Sequence, residues 1–284
     1  MGSKSAPNCR SIQSAGPILS VILPAYNEAE RIDRAIEDIR EGIPLSVGSS
    51  WELIVVDDGS SDDTQAAAAR YEKLVPRLQV FSHDRNRGKG AAVRTGVLAS
   101  RGQFVLFADA DGATPFVESH ALLEAVQDGA DIAIGKRSAV RAKRTLPRRL
   151  MAAVFRTAVR MIVNVRVSDP QCGFKLFAGH HARSLFRQAK ETGYLFDLEV
   201  LGMATRQGLT ISESEVRWQE IPGSHIRIVR DSIRMFTGLY RVRASIRSVA
   251  RRRLIDEANV PEVSPDGPLA IASDSVTHGN HSLN

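Results

Sequence analysis

The sequence predicts an α/β fold with a mostly parallel central sheet and flanking helices. Short apolar runs alternate with segments of helical period, the signature of strands joined by helical crossovers. Most of the short turns after those runs carry Asp, Asn or Gly, so the chemically informative residues gather at strand C-terminal ends, where open α/β sheets bind ligands. The 284 residues are 43% hydrophobic and 25% charged, with 6% aromatic side chains, which suits a globular chain with a real core and excludes wholesale disorder.

Taken in order, Ile18–Pro24 reads as the first strand. Asn27 follows as a helix N-cap with Glu30 three residues on, and Ile32, Ala35, Ile36 and Ile39 mark one helix face. Leu53–Val56 is a second buried strand ending at Asp57 and Asp58, and Ser60 with Asp63 forms a second capping-box pattern before an Ala-rich helix. Leu78–Phe81, Phe104–Phe107 and Asp131–Ile134 continue the strand series. The alternation is strong to about residue 138 and looser beyond. Residues 1–16 read as a loose leader, 17–225 as the α/β domain, 226–256 as a basic amphipathic helical region, and 257–284 as a disordered tail.

The chain carries 38 Lys+Arg against 32 Asp+Glu, a formal charge of +6. That balance favours an anionic partner: nucleic acid, an anionic membrane surface, or a phosphorylated substrate. Two cysteines, Cys9 and Cys172, are too few for a disulfide framework and fit a reducing compartment. No apolar run approaches the ~20 residues of a membrane-spanning helix, and the first residues lack a signal-peptide core.

Five segments can carry chemistry. Pro24-Ala-Tyr-Asn-Glu28 ends the first strand, as a plain strand stop or as a ligand edge. Asp57 and Asp58 either cap a helix or accept hydrogen bonds from a base or ribose. Asp109-Ala-Asp111 follows a buried strand; residues i and i+2 of an extended chain point the same way. Two converging carboxylates suit a hard divalent ion that shares its shell with diphosphate oxygens; the alternative is a solvated turn. Arg85-Asn-Arg-Gly-Lys-Gly90 brings Lys89 between glycines to the start of a helix, as an anion contact or a basic surface turn. It is not a Walker A motif, because Gly90 stands where Ser or Thr would bind magnesium. In Asp169-Pro-Gln-Cys-Gly-Phe-Lys175, an ordered turn leads to Lys175, a candidate phosphate contact, with Cys172 as a small packed residue.

In this order the five segments resemble glycosyltransferase family 2, inverting enzymes of the GT-A fold, over roughly residues 18–240. Arg87-Gly-Lys-Gly-Ala-Ala-Val-Arg94, Phe107-Ala-Asp-Ala-Asp-Gly-Ala-Thr114 and Gln171-Cys-Gly-Phe-Lys-Leu-Phe177 are similar to the branch that glucosylates dolichyl-type polyprenyl phosphates. The resemblance implies that Pro24, Tyr26, Glu28, Asp57 and Asp58 hold the nucleoside, and that Lys89 lies near the nucleotide or sugar. Asp109 and Asp111 would bind Mg2+ or Mn2+ and, through it, the donor diphosphate. Asp197 and Glu199 would lie near the sugar as catalytic residues. Arg137, Lys175 and His225 would meet the acceptor phosphate, His225 standing where the family often has Lys.

The implied reaction is transfer of glucose from UDP-glucose to a polyprenyl phosphate, in one in-line displacement. A phosphate monoester, with a second pKa near ~6, is already largely dianionic at neutral pH and needs positioning more than a base. The enzymatic rivals are a GDP-mannose-dependent mannosyltransferase and a family member with a soluble acceptor. A non-catalytic RNA- or membrane-binding module is opposed by the acidic groups at strand ends and by the lack of an RNA-binding signature; no nucleic-acid partner is expected. Two arginine-rich stretches, 141–166 and 227–253, interleave basic with apolar residues. They read as core helices with solvated faces, or as an interfacial surface holding the protein peripherally at the cytoplasmic face of a membrane.

Overall fold

The computed structural model describes residues 16–75, 77–137, 146–219 and 237–251, with side chains omitted for 146–153. Seven strands, β1 (Leu19–Ala25), β2 (Trp51–Asp57), β3 (Leu78–Ser82), β4 (Phe104–Ala108), β5 (Ile132–Arg137), β6 (Phe174–Ala178) and β7 (Ile211–Val216), form one sheet of order β3-β2-β1-β4-β6-β5-β7. All pairings are parallel except those of β6, which runs antiparallel between β4 and β5. The expected mostly parallel sheet is therefore present. The leader, the tail and the segment around His225 lie outside the described residues.

The helices are α1 (Ile32–Gly42), α2 (Thr64–Ala69), α3 (Lys89–Ala99), α4 (Ser119–Gln127), α5 (Leu146–Val163), α6 (Gly179–Gln188), α7 (Phe196–Arg206) and α8 (237–251). α1 buries Ile32, Ala35, Ile36 and Ile39, the face its periodicity predicts. Its start is different. Asn27 sits at φ 54° in the turn before the helix, and Arg31 is the N-cap. Likewise α2 begins at Thr64 behind Asp63, while the Ser60 hydroxyl is turned back onto Asp57. Both capping-box patterns thus serve loop construction instead of helix initiation.

β1 and β2 are buried throughout because neighbours cover them on both sides. Pro24, without an N–H, sits beyond the end of the β1–β4 ladder, which stops at Ile22 opposite Phe107. A chain of aromatic rings underlies the centre of the sheet: Phe107 stands 5.6 Å from Phe196 and 6.2 Å from Phe177, and Phe186 is 6.0 Å from Phe177.

The topology decides where a ligand can sit. From β1 the chain builds outward through β2 to β3, then α3 returns it to β4 on the other side of β1. The order reverses between β1 and β4, a switch point whose carboxyl edge is open. Because β6 is antiparallel, its first residues lie at that same edge: Phe174 pairs with Ala108 and Lys175 with Phe107. The Asp169–Gly173 turn is thereby brought beside Asp109.

Candidate active site

The loop after β1 is fixed by the loop after β2. Asn27 N donates to Ser60 Oγ at 2.9 Å, Glu28 N to Thr64 Oγ1 at 2.8 Å, and Ser61 N returns to Asn27 Oδ1 at 2.9 Å. This lacing leaves Tyr26 and Asn27 exposed while Pro24 and Ala25 are buried; Glu28 is partly covered, with Arg31 at 2.6 Å. Burial raises the Glu28 carboxyl above its ordinary range despite Arg31, and Asp111 and Asp109 push it further.

Asp57 and Asp58 are both buried, and both are engaged by the protein itself. Asp57 accepts from Ser60 N at 3.1 Å, from the Ser60 hydroxyl, and from Ser82 Oγ at 3.1 Å. Asp58 accepts from Arg87 N at 2.9 Å and Gly88 N at 2.8 Å, and its Oδ1 lies 2.7 Å from His83 Nδ1. His83 in turn reaches Thr95 Oγ1 at 3.0 Å. Of the pair expected to meet a nucleoside, Asp58 therefore also anchors the turn that presents Lys89, while Asp57 holds Ser60 and Ser82. His83 is the residue that sequence reasoning missed here; no spacing rule links a histidine after β3 to a carboxylate after β2.

At the switch point, Asp109 Oδ1 and Lys89 Nζ are 2.5 Å apart. Burial and the neighbouring Asp109 charge raise the Asp111 carboxyl, although Ala113 N donates to it at 2.9 Å. Burial works against the charge of Lys89, but Asp109, Asp197 and Asp111 hold its ammonium above the ordinary lysine range. The Asp109 carboxylate lies over Gly173, where a Cβ would come within 2.0 Å of Oδ2. The absent side chain makes that space, a role the turn signal alone did not reveal. Among the described residues no three His, Cys, Asp or Glu side chains converge on one metal position. A cation between Asp109 and Asp111 thus needs ligands from elsewhere, as diphosphate oxygens would supply.

Three further expected site residues, Lys175, Asp197 and Glu199, are buried. Lys175 is fully buried, 2.7 Å from Asp197 Oδ1, bonded to the Cys172 carbonyl and 5.2 Å above the Phe107 ring. Its ammonium is met by internal partners, as a buried charge requires. Asp197 is one of them, and its carboxyl is raised by burial despite Lys175 and Lys89. Glu199, also fully buried, accepts from Lys190 N at 2.9 Å and Glu191 N at 2.7 Å and bonds the Ser245 hydroxyl. On the helical α7, unlike on a strand, residues two apart point in different directions.

Arg137 remains at the rim. It grips Asp169 with two hydrogen bonds, 2.5 and 2.7 Å, and lies 5.4 Å from the Trp218 ring centroid. Burial pushes the Cys172 thiol up to about 11, consistent with a packing role.

Comparison with known proteins agrees with this architecture. A family model described as Glycosyl transferase family 2 matches residues 20–190. A dolichyl-phosphate beta-glucosyltransferase of Saccharomyces cerevisiae is 34% identical over 264 residues, covering 85% of this chain and 79% of the relative. The Drosophila melanogaster and Homo sapiens proteins of that name are 38% and 35% identical, each over 73% of this chain and 69% of their own. In fold, the chain is similar to glucosyl-3-phosphoglycerate synthase from Mycobacterium tuberculosis in complex with Mn2+, UDP-glucose and phosphoglyceric acid. That match has a TM-score of 0.61 and 21% identity over 80% of each chain. Mannosyl-3-phosphoglycerate synthase from Rubrobacter xylanophilus gives a TM-score of 0.60 at 21% identity, covering 87% of this chain and 77% of that one. The sheet and its flanking helices are those of a GT-A glycosyltransferase.

Proposed function

Because the chain belongs to glycosyltransferase family 2, we propose that it moves glucose from UDP-glucose to a dolichyl-type polyprenyl phosphate, with inversion. The observation that carries this reading is the Asp109–Asp111 pair at the sheet's switch point, with Lys89 2.5 Å from Asp109 and the side-chain-free Gly173 beneath. The relatives named for dolichyl-phosphate glucosylation supply the sugar and the acceptor.

The carboxylates fit a divalent ion: partial burial and the neighbouring Asp109 charge raise the Asp111 carboxyl, a cost that a cation between the two would relieve. Asp109 and Asp111 would hold Mg2+ or Mn2+, which when bound supplies charge neutralisation on the departing diphosphate. Lys89 adds a fixed positive charge from the same side. Tyr26, Glu28 and Pro24 line the neighbouring edge, where the nucleoside would lie; Asp57 and Asp58 support it by holding the surrounding loops. Arg137, on its Trp218 platform, can exchange Asp169 for the acceptor phosphate, a planar donor fork suiting either anion.

The arrangement also fits the acceptor's chemistry. A sugar hydroxyl would need a carboxylate base within hydrogen-bond reach. Here Asp197 is paired with Lys175, and Glu199 accepts two backbone amides, so both side chains already have partners in the protein. A lipid phosphate, already dianionic, needs no base.

Membrane contact falls to the basic helices. α8 exposes Tyr240, Arg241, Arg247 and Arg251, and α5 exposes Val154, Arg156, Arg160 and Met161. Among the described residues none of these arginines is in a salt bridge, and no helix is long and apolar enough to cross a membrane. Such a face matches the anionic cytoplasmic leaflet, where the protein would dock peripherally.

The direct test offers labelled UDP-glucose or GDP-mannose to the purified protein with polyprenyl phosphate in vesicles. Lipid-linked glucose should form and EDTA should abolish it. Preferential mannose transfer, or transfer indifferent to chelation with excess EDTA, would overturn the sugar or the metal assignment respectively.

A further inference from the structure

Glu199 is a fully buried carboxylate that the proposed reaction does not use. Its Oε2 accepts Lys190 N at 2.9 Å and Glu191 N at 2.7 Å, and its Oε1 accepts the Ser245 hydroxyl of α8. A charge buried this deeply is tolerated only when its lone pairs are met, so each of these donors is needed.

The segment that Glu199 holds lies directly on the turn presenting Lys89. Thr192 O accepts Ala91 N at 3.2 Å. A Cβ on Gly88 would fall 2.4 Å from Thr192 O, and one on Gly90 would fall 2.8 Å from Glu191 O and 2.7 Å from Phe196 Cβ. At Gly88 backbone rests on backbone, and at Gly90 the Phe196 Cβ joins the contact, so residues 190–193 form the direct support of the turn that carries Lys89. On its other side, Glu199 reaches a helix seated as closely: a Cβ on Gly202 of α7 would meet Ile246 Cδ1 at 2.4 Å. One carboxylate therefore joins the arginine-faced helix, α7 and the floor of the Lys89 turn.

We infer that Glu199 is a positioning residue, through which the seating of α8 sets the placement of Lys89 at Asp109. The inference rests on the reading that Lys89 serves the donor diphosphate. Its physical basis is contiguity: coupling between sites travels through packed elements and hydrogen bonds with defined arrangements. Displacing a catalytic group by about 1 Å can cost on the order of 100-fold in rate.

The test uses the full chain with Glu199→Gln, Glu199→Ala and Ser245→Ala. Glutamine can accept both amides through its carbonyl oxygen and offer its NH2 to Ser245, so Glu199→Gln should stay within about threefold of the parent kcat. Glu199→Ala should lower kcat at least about tenfold while KM for UDP-glucose changes less than about threefold. Ser245→Ala should fall between, and the double variant Glu199→Ala/Ser245→Ala should be no worse than Glu199→Ala alone. Hydrogen exchange supplies a readout independent of activity: Ser245→Ala should speed exchange in residues 88–92 as well as 190–193. A folded Glu199→Gln as inactive as Glu199→Ala would make Glu199 a chemical participant and overturn the inference. So would unchanged exchange at 88–92 in Ser245→Ala. If Glu199→Ala does not fold, the other two variants decide. If the parent protein transfers no glucose, the functional reading fails by itself and the exchange measurement still decides the coupling.

Discussion

Asp111 pays for its position in stability. Burial and the Asp109 charge raise its carboxyl, so its ionised form is disfavoured by folding. The stabilising contribution of the protonated group is present below the unfolded carboxyl value near ~3.9 and is lost as pH rises through the raised folded value. Asp111→Asn keeps an oxygen for Ala113 N and removes the charge. In metal-free buffer at neutral pH it should melt higher than the parent, while losing most transferase activity. Melting curves across pH would show the gap closing in acid; a gap that widens in acid would contradict the assignment. Lys175 makes the opposite case. Lys175→Met strands Asp197 in the interior beside Phe107 and should cost about 3–5 kcal/mol in urea unfolding. Adding Asp197→Asn should recover a substantial part. A loss below about 1 kcal/mol would mean that Lys89 alone satisfies Asp197.

At the scale of elements, Gly173 gives the sharpest forecast. Its backbone is not in a conformation reserved for glycine, yet a Cβ would strike the Asp109 carboxylate before any backbone atom, so the carboxylate is what must move. Gly173→Ala should leave the fold nearly intact and lower kcat at least about tenfold by displacing Asp109; near-normal turnover would show that Asp109 can move without consequence. The same residues mark what the sequence could and could not disclose. Strand cores, the buried face of α1 and the acidic strand ends were legible because apolar runs and helical spacing report local burial directly. The partners of those acids were not. Asp58 meets His83 and the Arg87–Gly88 backbone, and Lys175 meets Asp197, only because β2 lies beside β3 and β6 is threaded between β4 and β5. Asn27 and Ser60 misled for a related reason: the side chains that would cap helices bind each other's loops instead, satisfying the same donors with a long-range partner.

Over the whole molecule, charge is segregated more strongly than a net +6 conveys. Carboxylates and Lys89 collect at the open edge of the sheet, where a metal-bound diphosphate would sit, while α8 turns arginines outward without acidic partners among the described residues. The acceptor joins these regions, since its phosphate must reach the first while its polyprenyl chain remains in a bilayer. Arg241, Arg247 and Arg251 are exposed, so replacing all three with Ala should disturb the fold little. At about 1 kcal/mol for each basic residue near an anionic surface, their joint loss should weaken binding to anionic vesicles by about 3 kcal/mol, roughly a hundredfold. Raising salt should weaken the parent protein's binding far more than the variant's, because screening acts on the removed charges. Transfer to vesicle-borne acceptor should fall with binding, whereas hydrolysis of UDP-glucose in solution should not. Equal affinity of the two proteins for anionic vesicles at low salt would move the docking surface away from α8 altogether.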